Sequence, residues 1–345
     1  MTAMAFINVR PIIKVDGEEN PDLQEAITAF VVNNPLSGMA HAELTITHWI
    51  QGESGSMEYG FQSVTLGSEI EILMENDKTV FKGEVTGVEE RYGEGAPQLV
   101  LLAQDKLHRL VRQRNSRTFE DTTIDDIAQT IGGALGLSVD ASVSSVNATY
   151  HQINESDLAF LHRVSSQYDI SVRIDNGNLR AKTEEEDPEP VEISARDSAL
   201  GVRLIADLNH QPKKISVNGF NAANDETTQS LAESISPAAE YTTAADILNQ
   251  LGWPGDEIVP QPFPRLQGEG DGFSQASFNR AAKRFVAGEI RCQGEPALKS
   301  GREIELTGVS DRFLGRYRIV HCVHQFDGAN GYETHLKVNK ADWQT

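Results

Sequence analysis

The sequence predicts a mainly β protein with α+β elements: two similar β-barrels, a small α+β domain and a loop-and-helix insertion. Three observations carry that prediction. Apolar and polar residues alternate over most of the first 110 positions and again near the end. Two short stretches between positions 122 and 168 switch to helical spacing. The closing strands also echo the opening ones. At 345 residues the chain exceeds one ordinary core, and two or three compact units are expected.

Residues 1–110 read as the first barrel. AHAELTITHWI sets Leu44, Ile46 and His48 on one face, and GSEIEILMEND sets Ile70, Ile72 and Met74 against Glu69, Glu71 and Glu75. Leu73 breaks the alternation. PDLQEAITAFVV holds a short helix, with Phe30 to Val32 equally able to begin a strand. Residues 111–182 form the α+β domain that bridges the barrels. In TTIDDIAQTIGGALGL, Ile124, Ile127, Ile131 and Leu135 make a helical stripe, and Thr123 with Asp126 resembles a capping box. The pair Gly132-Gly133 weakens that helix and permits close packing.

INESDLAFLHRVSSQYDI is the second helix. Ser156 is its N-cap and Asp157 suits the helix dipole. Leu158, Leu161, Val164 and Tyr168 form the apolar stripe, with Phe160 flanking it. The hairpin ISVRIDNGNLRAK follows, turning at Asp-Asn-Gly-Asn. The helix reads as a structural brace against that hairpin. Burying three such aliphatic side chains stabilises by roughly 4–8 kcal/mol gross. TEEEDPEP reads as a solvated linker. Residues 191–220 and 286–345 make the second barrel. Residues 221–285 are a polar insertion with a helix near 242–252, and a second helix over 273–288 is closed by Gly288.

An internal repeat underlies the two-barrel reading. GSEIEILMEND aligns with GREIELTGVSD, and after one inserted residue VFKGEVTGVEERYGEGAPQLVLLA aligns with FLGRYRIVHCVHQFDGANGYETHLKV. Three chains carrying two such barrels each would form a ring with pseudo-sixfold symmetry.

The net charge is −21. Phosphate binding needs a basic face, so the charge argues against nucleic-acid or anionic-lipid binding. It suits solubility, or a surface that repels a passing polyanion. No apolar run reaches the roughly 20 residues of a membrane span, and MTAMAFINVRPIIKV lacks a leader pattern. Cys292 and Cys322 are expected as reduced thiols, so synthesis in a reducing cytoplasm is the default.

The tempting chemistry is weak. Glu155, Asp157 and His162 surround the brace helix, but a capped helix with a surface histidine accounts for them. His321 and His324 fall on opposite faces of a strand, so they do not share a metal. GEGDG at 268–272 would repel phosphate and is too short for a calcium loop. No nucleotide-loop, nucleophile-elbow or zincin motif occurs. No catalytic, cofactor-binding or metal-ligating residue is therefore assigned.

Three stretches resemble the late control D family of contractile-tail phages, whose hub fold is shared with the amino-terminal part of type VI secretion spike proteins. INESDLAFLHRVSSQYDISVRIDNG resembles the family's E-S-D-x-x-F-L-x-R helix and hairpin. GEIRCQGEPALKSGREIELTGVSDRFLGRYRIVHCVHQFD followed by GYETHLKV resembles its closing barrel. KKISVNGFNAAN resembles its strand entering that barrel, with Phe220 where Trp is common. The resemblance implies tube-type barrels and a homotrimeric baseplate hub. Such a hub adapts a hexameric tail-tube ring to a trimeric spike, with tape measure and baseplate wedge proteins as further contacts. The chain ends soon after its closing barrel, so the spike is expected to be a separate polypeptide. The protein would be made in the host cytoplasm and assembled into the baseplate of a phage tail or tail-like particle. An acidic channel wall is expected, since residues 1–110 carry 17 acids against 7 bases. The alternatives are a tail-associated cell-wall hydrolase and a carbohydrate-binding β-sandwich. The latter calls for clustered aromatics, whereas Trp49, Trp253 and Trp343 are scattered.

Overall fold

The computed structural model describes residues 10–51, 55–75, 77–93, 95–143 and 145–344. Residues 1–9, where the first barrel was expected to begin and where most of the stretch read for a leader pattern falls, lie outside the described residues. The protein is mainly β. Its first module runs β1 (Ile12–Val15), β2 (Glu18–Glu19), α1 (Pro21–Ala26), β3 (Ile27–Pro35), β4 (His41–Thr47), β5 (Trp49–Gln51), β6 (Met57–Tyr59), β7 (Glu69–Met74), β8 (Lys78–Arg91) and β9 (Gln98–Gln104). The ambiguous run 21–32 divides between helix and strand. Asn20 accepts from the Leu23 amide and Pro21 opens α1, while Ile27 turns extended and begins β3. In β4 the alternation is strict, and Ala42, Leu44 and Ile46 are buried. Leu73 breaks the alternation in β7 because a bulge in the β7–β8 ladder follows Ile72.

The bridging unit comprises a short 3-10 turn (Lys106–Val111), β10 (Arg114–Thr122), α2 (Ile124–Ala134), β11 (Val139–Ser142), β12 (Ala148–Ser156), α3 (Asp157–Ser166), β13 (Ser171–Asp175) and β14 (Asn178–Lys182). Thr123 and Asp126 make the reciprocal capping box of α2. The β13–β14 hairpin turns through Asn176 and Gly177, both at positive φ. That is the conformation a tight two-residue hairpin needs.

The rest of the chain adds β15 (Val191–Ser194), β16 (Ala199–Ala206), β17 (Lys214–Asn221), β18 (Glu226–Ala232), β19 (Thr242–Thr243), α4 (Ala244–Leu251), β20 (Asp256–Val259), α5 (Gln267–Ala282), β21 (Val286–Gln293), β22 (Glu303–Thr307), β23 (Gly315–Asp327), β24 (Gly331–Lys340) and β25 (Asp342–Trp343). Two sequence expectations change here. Residues 214–220 were expected in the second barrel, but β17 pairs with β18 and β20 in a separate sheet. Its inward residues Ile215 and Val217 join the bridging core together with Phe273 and Phe278 of α5. The run 273–288 is not one helix closed by Gly288. The helix starts earlier, at Gln267, and Gly288 lies inside β21, where a Cβ would meet Leu204 Cδ2 at 2.5 Å. The glycine serves packing, not termination. Likewise GEGDG is the first turn and a half of α5. Glu269 accepts from the Arg265 and Leu266 amides, and Gly270 and Gly272 admit Ser230 and Tyr168 closely.

A 13-stranded sheet joins the two modules. The first contributes the order β2-β1-β7-β8-β9-β4-β3 and the second β15-β22-β23-β24-β21-β16. Apart from the two-residue β2, each strand of one has its counterpart in the other. Ile70 stands opposite Gly83 as Ile304 stands opposite Tyr317. The bulges recur too: β8–β9 shifts between Val85 and Gly87, and β23–β24 between Ile319 and His321. A further shift follows Ile27 in β3–β4 and Ala199 in β16–β21. The inserted residue falls in the turn after β23, since register is kept from Glu69 and Glu303 through β8 and β23. It does not fall ahead of those strands, as the sequence alignment had it. One difference is that β1 pairs antiparallel with β7, whereas β15 pairs parallel with β22. The whole insertion, from β17 to α5, sits between β16 and β21, where the first module has only the Leu36–Ala40 turn.

Candidate functional site

Two features of this fold bear on function: how the modules join, and which strand edges they leave open. The join is β3 against the second half of β23, antiparallel from Ala29 opposite Asp327 to Pro35 opposite His321. Phe326 is buried in the first module's core, where it stacks on Phe30. The second module thus closes the core of the first. Next to it His324 is fully buried, with Nδ1 2.8 Å from the Tyr332 hydroxyl and Nε2 3.4 Å from the Cys322 thiol. Burial drives its pKa down to about 4. His321 lies on the opposite face of the strand, as period two requires. Among the described residues no group of three His, Cys, Asp or Glu side chains could hold a metal. Both cysteines are free and buried, and burial raises the Cys292 thiol to about 12.

The open edges are the counterparts of this join. Among the described residues, the second half of β8, Gly87–Arg91, is paired only with β9, and β16 only with β21. Both edges expose apolar side chains: Val88 is 41% exposed and Ile205 50%, and Tyr92, just past β8, is 59% exposed. The sheet face turned away from the cores carries Glu43, Glu89, Glu289, Asp327 and Glu333 together with Arg91, Arg203, Arg291 and Lys337. This face mixes both signs.

The helix expected as a brace is α3. Ser156 caps it by accepting from the Ala159 amide, and Leu158, Phe160, Leu161 and Val164 are buried. Phe160 is more than a flank: it is fully buried and stacks on Phe119 of β10 at 5.5 Å. Tyr168 lies beyond the helix end and packs edge-on against Phe273 of α5. The acid–acid–His trio is dispersed. Glu155 pairs with Arg163, and Asp157 accepts from Arg117, Asn115 and Gln152. His162 is half-buried rather than on the surface, with Nδ1 3.2 Å from the Ser37 hydroxyl. Burial lowers its pKa.

The acidic linker is also pinned rather than solvated. The Glu184 carboxylate accepts from Arg173 at 2.5 Å and from Arg180 at 2.7 Å, and also from Ser171. Burial would raise its pKa, but the Arg173 and Ser171 hydrogen bonds and the Arg180 charge outweigh that and hold it low. Asp187 is bound by Arg302 and accepts from the Glu303 amide, while Glu186 pairs with Arg316. Arg173 also donates to the Leu36 carbonyl, and a Cβ on Gly301 would strike it. Arg173 and Glu184 therefore tie the first module, the bridging unit and the second module together. The sequence did hold a sign of this cluster. A two-residue turn after Asp175 sets Arg173 directly opposite Arg180, and facing like charges need an anion. Beside this tie lies a cavity of about 600 Å³ lined by Ser37, Asp169, Glu184, Arg280, Lys283 and Lys337. The charges around it are mixed.

A family model described as the Alg8 N-terminal domain matches residues 7–327. The chain belongs to the Alg8 N-terminal domain family. No curated protein matches it. Solved structures place this Alg8 N-terminal domain chain in a wider fold group. A 43 kDa tail protein of prophage MuSo2 from Shewanella oneidensis superimposes with a TM-score of 0.72 at 14% identity, covering 96% of this chain and 98% of that one. A tail protein of Neisseria meningitidis MC58 gives 0.66 at 11% identity, covering 96% and 97%. An Escherichia coli component of the type VI secretion system gives 0.60 at 12% identity, covering 94% and 76%. At these identities the likeness is one of fold. The Alg8 N-terminal domain chain thus has the fold of tail and type VI proteins, and the late control D motifs are carried no further than that fold. No helix among the described residues is long and apolar enough to cross a membrane.

Proposed function

We propose that this chain is a structural hub of a contractile phage tail or a related injection machine. In this reading it works as a homotrimer of the late control D kind, adapting a sixfold tail-tube ring on one side to a threefold spike on the other. The observation that carries the reading is the duplicated module: the same strand order and two bulges at equivalent positions occur twice in one polypeptide. A threefold ring of such chains presents six similar modules, which matches a hexameric ring position for position. The dispersal of Glu155, Asp157 and His162 onto separate partners supports a scaffold over a cell-wall hydrolase. Assembly would take place in the host cytoplasm, with the product in the baseplate.

The test is the native mass of the purified chain, alone and mixed with tail-tube protein. A trimer that binds one hexameric tube ring is expected. A species that stays monomeric in both conditions, or that hydrolyses cell wall, overturns the reading.

A further inference from the structure

The cavity beside the Arg173–Glu184 tie has two walls. One is the carboxyl end of α5 together with residues 166–171. The other is the face of β16, β21 and β24 turned away from the second module's core. Its volume of about 600 Å³ falls within the range of ligand sites, about 300–1,000 Å³. Leu36, Ile170, Ile205 and Val320 line it with aliphatic carbon. Arg203, Arg280, Lys283, Arg284 and Lys337 stand around it with Asp169, Glu184 and Glu289. Five cations against three carboxylates make a local excess of positive charge in a chain whose net charge is −21.

All three carboxylates are already engaged. Glu184 holds Arg173 and Arg180, Asp169 holds Lys283 at 2.5 Å, and Glu289 reaches Arg203 at 3.8 Å. Lys337 stands opposite Glu289 in the β21–β24 ladder, yet no ion pair joins them among the described residues. Burial, and then the Lys337 charge, lower the pKa of His321 on the neighbouring strand. Arg280 is half-buried, donates to the Ser166 carbonyl and the Ser277 hydroxyl, and is opposed by the Arg284 charge. Cations suit a helix C-terminus. That accounts for Lys283 and the exposed Arg284, but not for an arginine that burial disfavours and whose nearby acid, Asp169, is bound to Lys283. Arg173 and Arg180 obtain their anion from the chain itself, whereas Arg280, Arg284 and Lys337 obtain none among the described residues.

We infer that this cavity takes an acidic, aliphatic peptide segment of a partner protein, whose carboxylates meet Arg280, Arg284 and Lys337. Charge complementarity selects the acid, and the aliphatic lining selects what accompanies it. An extended segment sends successive side chains to opposite sides. Glutamate or aspartate alternating with leucine, isoleucine or valine therefore offers both kinds of contact at once. A nucleic acid fits the cavity less well. No aromatic side chain lines it for a base to stack on, and a phosphodiester leaves the aliphatic lining uncovered. The inference needs no assembled ring, so it stands or falls apart from the hub reading.

The test is fluorescence anisotropy with the full chain. The probes are labelled hexapeptides that alternate glutamate with leucine, isoleucine or valine, their glutamine counterparts, and a labelled thymidine hexanucleotide. At least one glutamate peptide should bind saturably, and its glutamine counterpart at least tenfold more weakly. Arg284→Glu with Lys337→Glu changes two exposed positions and should weaken binding at least tenfold. The remote, equally exposed pair Arg112→Glu with Arg196→Glu makes the same change in net charge and should leave binding within about twofold. Far-UV circular dichroism checks that each variant is folded. Absence of saturable binding by every glutamate peptide overturns the inference. So do equal binding of the glutamine peptides and an equal loss in the remote pair. Saturable binding of the hexanucleotide that the Arg284–Lys337 pair abolishes would make this a phosphate site and overturn it as well.

Discussion

Phe30 and Phe326 stack with ring centroids 5.8 Å apart and planes inclined by 21°, directly opposite each other in the β3–β23 ladder. One belongs to the first module and the other to the second. Tyr332, from β24, meets Phe30 at 6.3 Å. The modules therefore share a core at the place where their sheets become one sheet, and they are not beads on a string.

Phe326→Ala should cost about 3–5 kcal/mol, the usual price of emptying a buried aromatic site. Urea unfolding at neutral pH measures it. Because the lost packing is at the join, amide exchange should rise along β3 as well as β23. Exchange that rises only in β23 would show that the modules fold independently.

His324 makes stability depend on pH. Its unfolded value is near 6.5 and its folded value about 4. Between these the unfolded chain binds a proton that the folded chain refuses, so stability falls as pH drops through the window. The full effect is about 3 kcal/mol. Asp105 titrates the other way: burial raises its carboxyl to about 6, so its contribution is lost as pH rises from about 4 to 6. The useful readout is therefore the difference between wild type and His324→Gln. That difference should shrink as pH falls from 6.5 to 4, and a constant difference would contradict a neutral buried imidazole.

Much of the fold was legible because it rests on local rules. Alternation in β4, the Thr123–Asp126 box, the Asn176-Gly177 turn and the Ser156 cap all follow from nearest neighbours in sequence. What was not legible depended on distant partners. TEEEDPEP looked like a solvated run because, beyond the facing Arg173 and Arg180 of the hairpin just before it, its carboxylates are met by Arg302 and Arg316, more than 100 residues away. GEGDG looked like a loop because its glycines answer to Ser230 and Tyr168, far away in sequence. KISVNGF alternates as well as any barrel strand, and only its contact with α5 assigns it to the bridging core. The open edges of β8 and β16 needed the duplicated register, which the repeat hinted at without showing which strands end the path.

Glu184→Gln should be strongly destabilising. It keeps the shape but removes the carboxylate that lies between Arg173 and Arg180, which are 6% and 8% exposed in their side chains, and leaves them facing each other with only the more distant Asp175, 3.6 Å from Arg173, as counter-charge. Breaking a buried pair in this way costs about 3–5 kcal/mol. The wild-type contribution is present above the usual carboxylate range and is lost as pH falls through the lowered Glu184 value. Chemical denaturation at pH 7 in low and high salt checks the claim. The loss should persist at high salt, because buried charges are poorly screened.

Adjacent glycines in α2 should respond in opposite directions. Both are helical, and Ala is the better helix former by about 1 kcal/mol. At Gly133 a Cβ meets nothing within 4 Å, so Gly133→Ala should raise the melting temperature. At Gly132 a Cβ would lie 2.4 Å from Val139 Cγ2 and 2.9 Å from Leu179 Cδ2. Those side chains belong to β11 and β14, which α2 covers. Gly132→Ala should push the helix off the sheet and cost about 1–3 kcal/mol through overpacking, more than the propensity gain returns. Thermal denaturation of the two single variants decides the matter. Two stabilised variants would mean that α2 does not approach the sheet as closely as Gly132 allows.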